Sequence, residues 1–411
     1  MSDEDLRALE RAVEARGGPA DRLRLAAALE RLGRGWEALE ALLPGRDDAL
    51  VRERLGEFPC ATRERQEWLG APPPRVGVRV LWTRSGDRDQ RLLAASPLGV
   101  VLGSGRERRL LVLDPDSGTV RWSCPWEQAG PASSPAGRLR PGDWPEAVGH
   151  VLLCCEPPAL IGRDLWSGQV LWRTSLPAPR PWGLAAGEGR LLGWSQEAAW
   201  ARRFARPGEP PGALLWSRAL GPDVATWSVT TPCLRSGGGR VCLRVKGGWH
   251  VLEGESGRLL SRVPGEVLHV DAVGLVVRSE AGISALEEPD RPPVWSVADV
   301  WSELVTEQAV ILEHHEGDAL WHVAHGRRTG ERLGLVVEAE EGSPLCAMDD
   351  LVLIERAWDR RTLEARTLRG EPVWDLRLPD PLHGLSRLVP LPPRRLLGLD
   401  EEGTWVCFRG A

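Results

Sequence analysis

A tryptophan that returns about every forty residues constrains this chain more than any other feature. It closes a short pattern in which a glycine turn leads into two or three apolar residues. The pattern reads Gly118-Thr119-Val120-Arg121-Trp122, Gly168-Gln169-Val170-Leu171-Trp172, Gly212-Ala213-Leu214-Leu215-Trp216 and Gly370-Glu371-Pro372-Val373-Trp374. Val80-Leu81-Trp82 and Pro293-Val294-Trp295 fit without the leading glycine. Gly257-Arg258-Leu259-Leu260-Ser261 and Gly330-Glu331-Arg332-Leu333-Gly334 keep the frame and lose the indole. The ends fall at 82, 122, 172, 216, 261, 295, 334 and 374. Strand-sized apolar runs bounded by Gly, Pro, Asp or Ser fill the intervals, and a unit of this length holds about four strands, one blade of a β-propeller. The fold expected is therefore mainly β: an eight-bladed propeller, with seven blades the alternative count because two ends lack tryptophan.

Twenty Trp stand against three Phe and no Tyr, so the indoles carry most of the aromatic packing. Trp82, Trp122, Trp172, Trp216, Trp295 and Trp374 are read as largely buried wedges between blades. The end of the chain supports a closed ring. Residues 387–408 hold three strands and residues 78–84 hold the outer-strand motif without three strands before it. Together they make one blade, and a ring joined this way leaves no free sheet edge. The propeller is thus assigned to residues 78–411.

Residues 1–70 read as helix, and Pro-rich residues 71–77 as a stiff linker. Leu6, Leu9 and Val13 share one helical face, Gly17-Gly18-Pro19 ends that helix and starts the next, and further helix is expected over 47–57 and 62–69. Residues 25–43 resemble one tetratricopeptide hairpin, through Leu25-Ala26-Ala27-Ala28-Leu29, Leu32-Gly33 and Trp36-Glu37-Ala38-Leu39. One or two hairpins are too few for a free-standing array, so this segment is expected to lean on the propeller or on a partner. A position at the rim, with both faces of the ring free, is expected. Leu25, Leu29, Trp36 and Leu39 are the candidate partner-binding residues, with a plain core role as the alternative.

The turns and outer strands resemble the PQQ-like repeat of quinoprotein alcohol dehydrogenases. The residues carrying the likeness are Leu113-Asp114-Pro115-Asp116-Ser117-Gly118-Thr119-Val120-Arg121-Trp122 and Asp164-Leu165-Trp166-Ser167-Gly168-Gln169-Val170-Leu171-Trp172. The resemblance spans roughly residues 78–408. It implies the propeller fold, and a family that holds both enzymes and non-catalytic assembly proteins. An enzyme of that family needs a Ca²⁺-type oxygen cage beside the quinone and an aspartate base, and no such cage maps onto these residues. Cys154-Cys155 is similar to the adjacent-cysteine disulfide over the quinone in alcohol-oxidising members. The surrounding run Val151-Leu152-Leu153 reads it instead as a buried strand.

Four of the eight histidines fall in one hairpin: His314, His315, His322 and His325. If Gly317-Asp318 is a two-residue turn, Glu313 faces His322 and His315 shares their side of the sheet, a two-His, one-carboxylate arrangement that a one-residue slip destroys. Solvated hairpin residues are the simpler reading, and no metal site is expected. Asp114-Pro115-Asp116-Ser117-Gly118 lacks the twelfth-position acid of a calcium loop, Gly237-Gly238-Gly239 lacks the lysine and helix of a phosphate loop, and no serine sits in a nucleophile elbow. A net charge of −6, with one lysine and arginine elsewhere, argues against nucleic acid and for a GC-rich, bacterial source. No apolar signal core, membrane-length apolar run or disulfide framework is seen, so a cytoplasmic location without membrane insertion is expected. The reading is a non-catalytic protein-binding or scaffolding propeller without catalytic residues or cofactor. A PQQ- or metal-dependent oxidoreductase and an outer-membrane-assembly-type propeller are the alternatives.

Overall fold

The computed structural model describes residues 3–58, 61–62, 79–86, 90–104, 107, 109–125, 146–156, 158–176, 183–194, 198–219, 234–306, 308–316, 319–348, 351–380, 382, 384–391 and 395–409. Eight antiparallel sheets are formed. Their inner strands are Gln90–Ser96, Glu146–Val148, Gly183–Gly187, Leu234–Gly237, Glu266–Val270, Val300–Val305, Gly342–Met348 and Leu385–Leu391, here numbered blades 1 to 8. The last inner strand lies against the first, so the ring is an eight-bladed propeller.

Position within a blade decides the residue pattern of each strand. Second strands such as Gly99–Ser104 and Arg190–Trp194 lie between neighbouring blades and are buried along their whole length, so they read as unbroken apolar runs. The outer strand Val170–Ser175 alternates instead, with Trp172 buried and its neighbours facing solvent. The turn that feeds an outer strand is built by its acid. Asp114 accepts from the amides of Asp116 (2.8 Å) and Ser117 (2.9 Å), and Gly118 takes φ +69, a left-handed conformation that costs glycine little. Burial alone would raise the Asp114 carboxyl. Arg121 and these amides outweigh it and hold it below the ordinary range. The calcium-like sequence is thus a turn whose carboxylate is already used.

Blade 8 takes its outer strand from the start of the propeller sequence. Arg79–Ser85 pairs with Thr404–Arg409, with Arg79 opposite Arg409 and Ser85 opposite Thr404. The expected linker 71–77 lies outside the described residues.

Among the described residues four α-helices precede the ring: α1 (Asp3–Arg16), α2 (Pro19–Arg31), α3 (Gly35–Leu42) and α4 (Ala49–Leu55). Asp48 caps α4, accepting from the amides of Leu50 (2.9 Å) and Val51 (3.2 Å). The helix expected from residue 62 does not start there. Ala61–Thr62 is a strand that pairs with Ala95 and Ala94, adding a fifth strand to the inner edge of blade 1. The unpaired backbone of that edge is a ladder template that outweighs the helical pattern. Residues 63–70 lie outside the described residues.

The rim position expected for the helices is also not what is found. In a blade, the turns joining strands one to two and three to four leave by the same face, and the helices sit on that face over blades 1 and 2. Arg46 pairs with Asp116 (2.5 Å) and Arg52 with Asp164 (3.3 Å), while the Trp166 indole donates to Asp47 (3.1 Å). Beneath these contacts Leu6, Leu25, Leu29, Leu39, Val51 and Leu55 join Leu98, Leu110, Leu152 and Leu165 of the ring in one continuous core. Burying that shared apolar surface is the physical reason for the face position.

Candidate functional site

Five of the recurring tryptophans stitch their blade to the next. Each indole Nε1–H donates to a carbonyl in the three-to-four connection of the following blade: Trp82 to Pro115 (3.1 Å), Trp122 to Leu165 (3.0 Å), Trp172 to Pro207 (3.0 Å), Trp216 to Gly254 (2.8 Å) and Trp295 to Arg327 (2.8 Å). The turn glycine lies flat on the ring; a Cβ on Gly257 would stand 2.6 Å from the Trp216 indole. Trp82, Trp172, Trp216 and Trp295 are buried. Trp122 and Trp374 are half-buried. Trp374 differs for a structural reason. Blade 8 has no three-to-four turn, because that is where the ring is closed by a strand from the other end, and among the described residues the Trp374 Nε1 has no acceptor. Where Gly334 replaces the indole the backbones close up, and a Cβ there would meet the Arg369 Cα at 2.5 Å.

Acid–arginine clasps reinforce these junctions on the helix-bearing face. Arg395 of blade 8 reaches Asp116 of blade 1 (2.5 Å), and Arg190 of blade 3 reaches Glu255 of blade 4 (2.9 Å). Between blades 5 and 6 the polarity is reversed. Arg327 occupies the first turn position, where Pro115 and Leu165 stand in blades 1 and 2, and its guanidinium crosses back to blade 5. There it pairs with Asp271 (2.5 Å) and donates from Nη1 to His269 Nε2 (2.7 Å). Asp271 also receives the amides of Val273 (2.8 Å) and Gly274 (3.1 Å).

A guanidinium only donates, so His269 Nε2 is the acceptor nitrogen and its 3.4 Å approach to Asp271 is not a hydrogen bond. Burial alone would raise the Asp271 carboxyl. The charge of Arg327 and the two amides outweigh it and hold Asp271 well below the ordinary carboxylate range.

This ion pair forms the floor of a cleft of ≈ 180 Å³. Val273, Leu275, Val276 and Leu286 line its walls, with Val294 and Arg328 at its mouth. Val294 is 58% exposed and belongs to the connection 287–294 that replaces the usual short turn in blade 5. Among the described residues Arg328 makes no ion pair, and the exposed lining side chains are Val273, Glu287, Val294 and Arg328: two apolar, one acid and one base. Sequence reading missed the cleft. The usable signal was an arginine at a turn position that is small or apolar in other repeats.

The other candidate residues are placed as follows. Leu25, Leu29 and Leu39 are 6%, 3% and 1% exposed, so they form core under the ring's face and no open groove. The Trp36 side chain lies outside the described residues. In the histidine hairpin the register puts Glu313 opposite His322 and Glu316 opposite Ala319. Glu313 is bonded to the exposed His315 (3.0 Å), whereas His322 is 1% exposed and burial lowers its pKa against the pull of Glu313. Among the described residues no group of three His, Cys, Asp or Glu is placed to hold a metal ion. On the opposite side of that sheet His314 Nε2 meets His325 Nε2 at 3.1 Å. Cys154 and Cys155 lie on the second strand of blade 2, away from the ring axis, with Cys154 in the core shared with the helices. Burial pushes the Cys154 thiol up. Among the described residues no helix is long and apolar enough to cross a membrane.

No family model matches the chain, and no curated protein matches it in sequence. Solved structures match it in fold. The computationally designed Ika8 protein is 13% identical over 79% of this chain and 97% of its own, with a TM-score of 0.52. BamB from Moraxella catarrhalis is 14% identical over 81% and 98%, with a TM-score of 0.36. The quinohemoprotein alcohol dehydrogenase ADHIIG from Pseudomonas putida HK5 is 8% identical over 81% and 76%, with a TM-score of 0.49. At these identities the likeness is one of fold.

Proposed function

We propose that this chain is a non-catalytic, cytoplasmic protein-binding platform, in which the cleft between blades 5 and 6 receives an anchoring side chain of a protein partner. The cleft itself carries the reading. Its ≈ 180 Å³ falls below the roughly 300–1,000 Å³ typical of cofactor and small-molecule pockets, and suits a single side chain. Apolar walls over a satisfied ion pair, with Val294 and Arg328 at the lip, match the buried-anchor, charged-rim pattern of protein interfaces. An apolar anchor with a flanking charge that meets Arg328 or Glu287 fits this chemistry. The helices, in this reading, are a cap: they cover blades 1 and 2 and leave the turns of blades 5 and 6 for the partner.

The test is competition on the full chain. Val294→Glu, which puts a negative charge in place of the apolar lip residue without touching the core, is expected to abolish capture of the partner. Leu50→Glu, at an exposed site on α4, is expected to leave it intact. Equal capture by both variants would remove the cleft from the account.

A further inference from the structure

The opposite face carries a second concavity with different chemistry. In blade 4 the second and third strands, Arg240–Val245 and Gly248–Glu253, are joined by Lys246-Gly247. Gly247 has φ +84 and Gly248 φ +152, and a Cβ on Gly248 would meet the Val263 carbonyl oxygen at 2.3 Å. Only glycine lets this turn close against the end of the outer strand Leu259–Val263. The closure brings Lys246, the chain's single lysine, to the same cleft as Arg262 and His250, which face each other across the ladder.

This cleft measures ≈ 280 Å³, and the ionisable residues among its described lining are Lys246, His250 and Arg262, without a carboxylate. Glu266, two residues beyond the lining residue Pro264, is paired with Arg278 across blade 5. Burial together with the nearby charges of Arg262 and Arg218 lowers the His250 pKa, the signature of cations crowded without a counter-charge.

Strand alternation sends Trp249, 1% exposed, to the other side of the sheet, so Lys246, Arg262 and His250 are the polar side chains that this cleft offers. Among the described residues neither Lys246 nor Arg262 makes an ion pair, so the cleft's missing complement is an acceptor of negative charge.

We propose that this cleft is an oxyanion site that takes inorganic phosphate or the phosphoryl group of a small molecule, held by Lys246, Arg262 and His250. Binding opposes the crowding that lowers the His250 pKa, so affinity rises as pH falls and His250 takes up its proton.

The experiment is titration calorimetry on the full chain at low salt, with inorganic phosphate, pyrophosphate and acetate as separate probes. Phosphate or pyrophosphate is expected to bind saturably at one equivalent, more weakly at higher salt and more tightly at lower pH, with acetate far weaker. Lys246→Met and Arg262→Gln, both at exposed side chains, are each expected to weaken binding about tenfold or more. Preference for pyrophosphate over phosphate assigns the site to phosphorylated small molecules, and the reverse assigns it to the free ion. Absence of saturable binding up to roughly 10 mM of either probe, or equal affinity in the Lys246→Met and wild-type proteins, would overturn the proposal.

Discussion

Trp216 and Trp374 occupy the same place in the repeat, but one stitch is complete and the other is not. Trp216 is 8% exposed and donates at 2.8 Å to the buried carbonyl of Gly254. Trp216→Phe keeps most of the ring and removes the donor. It leaves that carbonyl unsatisfied, a loss of about 1–3 kcal/mol. Trp216→Ala also opens a cavity against Gly257, and the usual range for a core aromatic is about 3–5 kcal/mol. At Trp374 the Nε1 is buried and has no acceptor among the described residues, so Trp374→Phe removes an unmet donor and is expected to be neutral or slightly stabilising. The assay is urea unfolding of the four proteins, comparing midpoints at matched slope and checking that far-UV and fluorescence transitions coincide. Equal losses for Phe at 216 and 374, or a Trp216→Ala loss under about 1 kcal/mol, would refute the stitching argument.

Other expectations follow from the junction between helices and ring. A Cβ on Gly56 would lie 2.4 Å from the His150 amide nitrogen, so Gly56→Ala should lift the helical cap and speed limited proteolysis between residues 59 and 78, with little change in ring unfolding. His150 is buried under the cap, and burial lowers its pKa against the pull of Asp164 and Glu53, with Arg52 adding to the depression. A histidine with a depressed folded pKa contributes stability that is full above its unfolded pKa and is lost as pH falls toward the folded one. Hydrogen exchange in α4 should therefore accelerate below about pH 6.5 in wild type, and not in His150→Gln. Cys242, Cys346 and Cys407 are buried, with thiols pushed up to about 12, so native-state alkylation near pH 8 followed by mass spectrometry should leave all three unmodified.

The ring was legible in the sequence because its determinants are local. A turn glycine, an acid that bonds its own amides and an indole four residues on recur, in whole or in part, along the repeats, so the ends at Ser261 and Gly334 could be counted without their tryptophans. The Glu313–His322 register was legible for the same reason: a hairpin needs only its own turn. The cap position was not. It rests on Arg46 with Asp116 and on Leu25 and Leu39 against Leu98 and Leu165, pairings far apart along the chain that no periodicity announces. The strand Ala61–Thr62 was misread because its conformation is set by the open inner edge of blade 1. The cleft between blades 5 and 6 depends on Arg327 reaching back across a blade boundary to Asp271, which requires knowing that residues 56 positions apart face one another.

The most direct test of the platform reading is a photo-crosslinking amino acid placed at Val294 in the full chain and activated in the living source cell, with the same residue at Val120 on the outer rim as the reference. The account predicts one discrete protein adduct at 294 that is absent at 120 and is lost when Arg328→Glu is added. No adduct at 294, or the same adducts at both positions, would contradict it.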